Sequence, residues 1–456
     1  MNLQAIATAL VQAGGRPYLT GGYVRDQFTG QPNKDVDIEC FGLMPDQIIQ
    51  AMSPFGKAHL EGVSFAVVKV HLQDTNEWLD INMPRRESKS GTGRKGFSIE
   101  IDPNLTIPEA AFRRDFPPNA IYQDMMTNEY TDPYRGIEAL LDQRIDVIAD
   151  QDGYSKFCES PERPLRAFQF IKRFKLYPTP RLLEYCRIAG AEYDTIAPEI
   201  IWQEWYKWAT RGLHAYDSLM FLKDSGLVNF YPELKNLIGL EQYFPYHPEG
   251  SVFSHSAWTC ESMARLVIDL PEQDKLVLML AALCHDMGKA TTTVTQPDGK
   301  ITSYDHDQVG VEFAVSFLAR IKAPGYVVDK VSELVREHMA HVHMQHISKK
   351  ATRRFLSRLK YVTVDDVTKL IEADHSGRPP LEPGLPEKAQ QLYKVALEVQ
   401  DEVKPILLGR HLIDLGMTPG PDFGPLLREA YEAQLEEEFM DITGAMSWLN
   451  RRLSVG

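Results

Sequence analysis

At 456 residues the chain is longer than one hydrophobic core usually serves, and at roughly 150 residues per domain about three cores are expected. Hydrophobic residues make up 43% and charged residues 25%, which excludes a disordered chain, and no run reaches the ~18 apolar residues of a membrane helix. The five cysteines (Cys40, Cys158, Cys186, Cys260, Cys284) are scattered and odd in number, which excludes a disulfide framework or zinc knuckle and fits a soluble protein of a reducing cytoplasm.

From Met1 to Gly14 apolar residues recur at helical spacing without a basic leader or cleavage-like site, so an amphipathic helix is expected. Tyr18 to about Ile148 mixes β-rich runs, Ala66 to Leu72 and Trp78 to Asn82, with amphipathic stretches such as Pro45 to Met52. After Asp150 the pattern turns helical, through Leu165, Phe168, Ile171 and Phe174 and the aromatic segment Trp202 to Trp208. Gly and Pro mark boundaries at Phe244 to Gly250 and Gly377 to Pro386, and two amphipathic helices around a Gly/Pro turn follow from Leu408 to Leu449. The predicted domains are therefore 1–150 (α/β), 151–245, 246–380 and 381–456 (all helical). A net charge of −14 counts against a broadly basic surface. Local clusters at Arg85 to Lys95, Arg113–Arg114, Arg163 to Lys175 and Lys349 to Lys360 can still hold phosphates, whereas Glu436 to Glu438 reads as a solvated face.

The most informative segment runs from Leu19 to Gly42. Gly21-Gly22-Tyr23-Val24-Arg25-Asp26 opens a helix after a β-like start, so backbone N–H groups at Gly22 can approach phosphate oxygens and Arg25 adds a cation. Asp35 and Asp37 lie two apart in a strand-like run and project from one face, where paired carboxylates can share Mg²⁺. This head resembles the class II tRNA nucleotidyltransferase and bacterial poly(A) polymerase family, whose motif reads G-G-x-V-R-D followed by D-x-D. The likeness continues through Pro84 to Glu87, Gly91 to Phe97, Arg113-Arg114-Asp115-Phe116 with Asn119-Ala120, Asp132-Pro133 with Gly136, and Glu159 to Phe170, covering nearly the whole chain.

The resemblance implies a polymerase β-like nucleotidyltransferase head followed by a helical neck, an HD domain and a helical tail. It carries nucleotide contacts to Arg114 and Asp115, for which the residues alone allow a surface ion pair, and makes Asp80 the third acid, which alone reads equally as a strand-edge residue. Arg163 and Arg166, three apart on one helix face, can present guanidinium forks to a base or phosphate. Ser88 to Gly96, basic and Gly-rich, reads as a mobile loop able to close over substrate. Departures from the family pattern stand at Ser160, where an Asp is usual, at Gln169, where an Arg is usual, and at Pro117-Pro118.

A second constellation comprises His255, His285-Asp286, His306, His338 and Asp374, ligands suited to Mn²⁺, Fe²⁺, Co²⁺, Ni²⁺ or Mg²⁺. His285 and Asp286 at a helix end can reach one metal together with His255 and Asp374 from flanking helices, and His306 and His338 could hold a second. This spacing resembles the HD phosphohydrolase superfamily. Lys289 is placed for a phosphate, while His341, His343 and His346 are read as decorating a surface helix.

The expected activity is addition of C and A from CTP and ATP to the tRNA 3′ end, joined to a metal-dependent phosphohydrolase. The alternatives are an A-adding, CC-adding or poly(A)-forming enzyme, or an HD phosphohydrolase with a degenerate RNA-binding head. No membrane partner is expected, and the sequence leaves open whether the chain forms a homodimer.

Overall fold

A computed structural model describes residues 2–31, 35–61, 66–89, 91, 97–150, 153–400 and 404–454. The chain gathers into two units, Met1–Lys235 and Asn236–Gly456. Of the expected loop from Ser88 to Gly96, residues 90 and 92–96 lie outside the described residues.

The strands of the first unit are β1 (Arg16–Thr20), β2 (Asp37–Phe41), β3 (Gly56–Leu60), β4 (Val67–Leu72), β5 (Trp78–Asn82), β6 (Arg85–Lys89), β7 (Phe97–Ile101), β8 (Tyr122–Asp124) and β9 (Tyr130–Thr131). Seven form one sheet in the order β3-β4-β5-β2-β1-β8-β9, and β6 with β7 makes a separate antiparallel hairpin. Within the sheet only β2 and β5 pair in parallel, with Asp37 opposite Asp80.

Alternation along these strands separates an apolar face from a polar one. Ile38 and Cys40 of β2 and Leu79 and Ile81 of β5 join the core under the helices Leu3–Gln12 and Pro45–Met52. Phe41 belongs to a second cluster with Tyr122, Leu105 and Ala110, so Asp37, Glu39 and Asp80 stand on that opposite face. Both helices and the strand β5 fall where their periodicity predicts them.

One local departure matters for the site. The strand that was expected to carry both acids begins only at Asp37, and Asp35 precedes it as an exposed residue without regular structure.

Beyond residue 150 the first unit is helical except for a short parallel pairing of Arg144–Ile145 with Tyr177–Pro178. Its aromatic core is built around Trp205 and Trp208, both fully buried. Phe168 stacks on Trp208 at 5.4 Å, and Trp205 donates its indole N–H to the Tyr231 hydroxyl at 2.9 Å.

In the second unit the helix Glu272–Cys284 is buried at every position from Leu276 to Cys284. Such a helix, apolar all round, belongs in an interior, and it carries the following His285-Asp286 there with it. A small hairpin, Thr293–Thr295 with Ile301–Ser303, precedes the helix His306–Arg320. The last segment forms three helices where two were expected, Gly409–Asp414, Phe423–Leu435 and Ile442–Ser454: the Gly/Pro turn separates the first two, and a second break follows Leu435, where Glu437 takes a left-handed φ of +68°.

The basic run from Lys349 is not a free phosphate-binding stripe. In the helix Lys349–Arg358, Lys350 and Arg354 pair with Glu436, Arg353 pairs with Glu437 at 2.6 Å, and Arg358 pairs with Glu337 at 2.6 Å. Of the acids read as a solvated face, Glu436 and Glu437 are thus counter-charges of that helix, and Glu438 is exposed. The five cysteines are free thiols, and no helix of the described residues is long and apolar enough to cross a membrane.

Trp205 is fully buried at the centre of the first unit's aromatic core. Trp205→Ala is expected to destabilise the protein by about 3–5 kcal/mol, the usual cost of emptying a large aromatic site. Urea unfolding followed by circular dichroism measures it, and a loss below about 1 kcal/mol would contradict this packing.

Candidate functional sites

The site in the first unit grows from the β1-to-helix turn. Gly21 sits at φ +65°, a conformation that glycine adopts without steric cost. A Cβ there would stand 3.0 Å from Asp37 Oδ2 and 3.3 Å from an Arg114 terminal nitrogen, so turn, acid and guanidinium share one edge. Gly22, expected at the phosphate, follows as a half-buried residue of the helix Gly21–Thr29.

Across from it, the register sets Asp80 beside Asp37 on the same face. Burial raises the Asp37 pKa, Arg114 opposes the rise, and the charges of Asp80 and Asp35 add to it. Carboxylates that impede one another's ionisation are suited to a cation. They are not closed on a single point: Asp35, Asp37 and Asp80 do not form a group of three ligand atoms within 4.8 Å of one another.

Sequence reasoning missed the group that organises this face. Glu39, fully buried, accepts from Arg113 at 3.0 Å, from Arg114 at 2.8 Å and from the Tyr122 hydroxyl at 2.9 Å. Burial alone would raise its pKa, but the two guanidiniums outweigh it and hold the carboxyl at about 2. The Nε groups of Arg113 and Arg114 remain buried donors without a hydrogen-bond partner. The signal available in the sequence was the strand's own alternation, which puts a Glu on the face of Asp37.

Other expected nucleotide contacts are brought together but bonded to one another. Arg25, only 5% exposed, donates to Asp26 at 2.7 Å and to Asn119 at 2.6 Å, and its guanidinium lies 5.0 Å and 4.5 Å from the Phe170 and Phe174 ring centres. Asn119 donates in turn to Asp115 at 2.8 Å, and Arg166 donates to the other Asp115 oxygen at 2.7 Å. The Asp115 carboxyl is held at about 2: burial would raise it, but Arg166, Asn119 and Arg163 prevail. Arg163 is directed to the backbone carbonyls of Lys156 at 2.7 Å and Arg113 at 2.5 Å. Arg25, expected at a phosphate, has its donors engaged within the protein, where they tie the Gly21–Thr29 helix to the turn at Asn119.

The site in the second unit is tighter. His255 comes from the helix Val252–Leu266, His285-Asp286 from the end of Glu272–Cys284, His306 from the first residue of its helix, His338 from the end of Gly325–Glu337, and Asp374 from Val364–Ser376. The His255 and His285 Nε2 atoms stand 3.3 Å apart, and those of His306 and His338 stand 3.2 Å apart. Asp286 lies between the pairs, 3.4 Å from His285 and 3.3 Å from His306, and Asp374 is 3.0 Å from His255. Two groups of ligand atoms result, His255/His285/Asp286 and Asp286/His306/His338, each within 4.8 Å.

The Nδ1 side of each ring explains why this arrangement fits a metal. Nδ1 of His285 faces Ala282 O at 2.9 Å, that of His306 faces Ser303 O at 2.7 Å, and that of His338 faces Val335 O at 2.6 Å. A carbonyl only accepts, so each Nδ1 carries the proton and each Nε2 presents a lone pair. Facing lone pairs at this separation, in a buried site, call for a cation. Burial, with His306 and His285 adding to it, pushes His338 down to about 3, which keeps its ring neutral and ligand-ready. Lys289 Nζ lies 2.6 Å from Asp286. Gly288 permits the close turn, for a Cβ there would meet the His306 carbonyl at 2.1 Å.

His341 does not decorate a surface. It is 9% exposed with Nδ1 unpartnered, while His343 is exposed and bonds Asp307 at 3.0 Å. A third group of ligand atoms, His247/Glu249/His255, went unnoticed in the sequence because neither His247 nor Glu249 belongs to a regular element.

Comparison with known proteins agrees with this division. Residues 17–146 match the poly A polymerase head domain, and residues 252–405 match the HD domain. The chain is 32% identical over 408 residues to the multifunctional CCA protein of Methylobacillus flagellatus, covering 86% of this chain and 91% of the relative. The Bacillus stearothermophilus CCA-adding enzyme in complex with CTP has a similar fold, with a TM-score of 0.64 at 18% identity over 99% of this chain and 98% of that one. The Thermotoga maritima CCA-adding enzyme complexed with tRNA gives 0.61 at 18% identity over 98% and 94%.

Glu39→Gln would leave two buried guanidiniums without their counter-charge, at an expected cost of about 3–5 kcal/mol. The folded-state pKa of Glu39 is depressed, so its contribution is complete above the unfolded value of 4.5 and is lost as pH falls toward about 2. Wild type should therefore lose part of its advantage over the variant between pH 4.5 and 2, as read from paired urea titrations. A stability difference independent of pH across that window would contradict the assignment.

Proposed function

This chain belongs to the multifunctional CCA protein family, and on that premise we propose that it adds C and A nucleotides from CTP and ATP to the 3′ end of tRNA. The observation that carries the reading is Asp37, in register with Asp80, lying against the left-handed Gly21 at the edge where Arg114 enters. Asp35, Asp37 and Asp80 are the residues we assign to Mg²⁺. Bound there, the cation supplies positive charge for a transferring phosphoryl group and its attacking hydroxyl.

The remaining tasks fall to the chain's own groups. Gly21 leaves room for a triphosphate beside Asp37. Arg113 and Arg114 bring positive charge to the edge where a triphosphate would lie, and Glu39 keeps both guanidiniums in place. We assign Asp115, Arg163 and Arg166 to the wall on which the incoming nucleotide rests, with Gly22 at the phosphate end and Arg25 as the strut beneath. Ser160 is half-buried and the Gln169 carbonyl is buried without a partner, so base selection is the property that these two departures bear on.

For the second unit we propose a metal-dependent phosphohydrolase. Its ligands are His255, His285, Asp286 and Asp374, with His306 and His338 completing a second position across Asp286. The donor set of imidazoles and carboxylates suits Mn²⁺, Fe²⁺, Co²⁺, Ni²⁺ or Mg²⁺. Phosphoester-blocked RNA ends are the substrate class that would make the two activities serve one task. The four-part division at residues 150, 245 and 380 is retained as a proposal, although its boundary at 245 falls beyond the division of the two units between Lys235 and Asn236.

The direct test supplies tRNA lacking CCA with CTP, ATP, UTP and GTP, separately and together. Incorporation of C followed by A is expected, with Asp37→Ala slower by about 10²–10³-fold or more. Wild-type rates in that variant would refute the site, and growth with ATP alone would favour the A-adding alternative. In the second unit, Mn²⁺ at about a hundred times its Kd should stabilise the chelator-stripped protein by about 2.7 kcal/mol. Thermal unfolding with and without Mn²⁺ reads the shift, and its absence from wild type would remove the metal assignment.

A further inference from the structure

The group His247/Glu249/His255 shares one histidine with the HD centre but uses its other nitrogen. Glu249 Oε1 is 2.9 Å from His247 Nδ1 and 2.8 Å from His255 Nδ1. Gly377 O stands a further 3.2 Å from the same His255 nitrogen. A ring nitrogen facing a carboxylate and a carbonyl has two acceptors and must itself carry the proton, so His255 Nδ1 has no lone pair for a metal. His247, Glu249 and His255 are therefore not a third metal site.

We infer that Glu249 is a positioning residue for the HD centre, holding His255 as a ligand through Nε2 and setting His247 beside it. This rests on the reading of that centre as a divalent-metal site. The other three imidazoles are oriented by a carbonyl three residues earlier in their own chain segment, at Ala282, Ser303 and Val335. His255 has no such contact. Its proton is taken instead by a carboxylate from the preceding turn and a carbonyl from the distant Gly377. An ionised acceptor holds an imidazole more firmly than a neutral one and increases its strength as a ligand.

The local chain is shaped for this. His247 N–H donates to Tyr243 O at 3.1 Å, Gly250 turns the backbone at φ +108°, and Ser251 caps the helix that carries His255. Glu249 is thereby folded inward with its side chain fully buried, while His247 keeps 18% of its side chain exposed. The His247 and His255 rings meet edge to face with centres 4.9 Å apart. Both hydrogen bonds converge on Oε1, and Oε2 is buried without a partner, so a second acceptor position is already in place.

The test titrates chelator-stripped, full-length protein with Mn²⁺ by calorimetry. Glu249→Gln keeps the shape but loses the charge, and should weaken binding by about 10–100-fold, the usual effect of removing an outer partner of a metal-ligating histidine. His247→Gln should leave Mn²⁺ affinity and stoichiometry unchanged, because it removes no ligand. Metal-free Glu249→Gln should keep the wild-type circular dichroism spectrum but melt below wild type, because it loses a buried carboxylate bonded to two imidazoles, and the visible spectrum of Co²⁺-loaded Glu249→Gln should differ from that of wild type. Partial recovery of affinity in Glu249→Asp would support the role of the charge. Undiminished affinity in Glu249→Gln overturns the inference, as does loss of a metal equivalent in His247→Gln, which would make the group a metal site after all. Wild type that binds no divalent ion overturns the HD reading as well, whereas wild-type binding matched by Glu249→Gln overturns only this one.

Discussion

A charge taken out of water must be answered by another, and that constraint shapes both units. In the first, Glu39 is the buried answer to Arg113 and Arg114, and the three groups are mutually dependent: remove the carboxylate and two cations face each other on an interior face. Arg114 then reaches past Glu39 toward Asp37 and Gly21. Strand register places Asp37 and Asp80, and the ion pairing beside them places the guanidinium that faces Asp37. In the second unit the same constraint leaves imidazole and carboxylate groups facing one another with their outer hydrogen bonds already made.

The two centres differ in how complete they are without a ligand. Asp35, Asp37 and Asp80 are half-buried or exposed and stay apart, which suits a site that receives metal together with a triphosphate and releases both each cycle. The proposed HD ligands other than Asp374 are buried, and their imidazoles are already drawn to within hydrogen-bonding distance of one another. That suits the resident metal we propose for this unit. Rigid helices deliver the HD ligands, whereas the first acid of the other trio comes from irregular chain just before a strand.

Much of this was legible in the sequence because it rests on local periodicity. The helix Pro45–Met52 and the strand Trp78–Asn82 are found at the predicted residues, since apolar spacing and the buried face agree there. The Gly-Gly turn, the aspartates and the His-Asp pair are short-range patterns with a chemical reason for each member. Charge pairing was not legible. Arg353 meets Glu437 across 84 positions, and Arg113 meets Glu39 across 74, separations at which sequence gives no hint of contact. The basic run from Lys349, read as a binding face, and Glu436 and Glu437, read as a solvated face, were each other's partners.

The histidines give the clearest case of what spacing cannot decide. His341, His343 and His346 follow one another at intervals that suggest an exposed helix, yet His341 is buried while His343 is exposed. Conversely, His247 and Glu249 sit in an irregular turn with two prolines and a glycine nearby, where no periodicity draws notice. Their importance follows from tautomer logic, which needs coordinates: only when both acceptors of His255 Nδ1 are seen does its Nε2 become the obligatory ligand atom. A motif can name the first coordination shell because those residues must be of particular types. The carboxylate behind a ligand can come from any segment that folds back to it, so outer-shell residues are found by geometry and not by pattern.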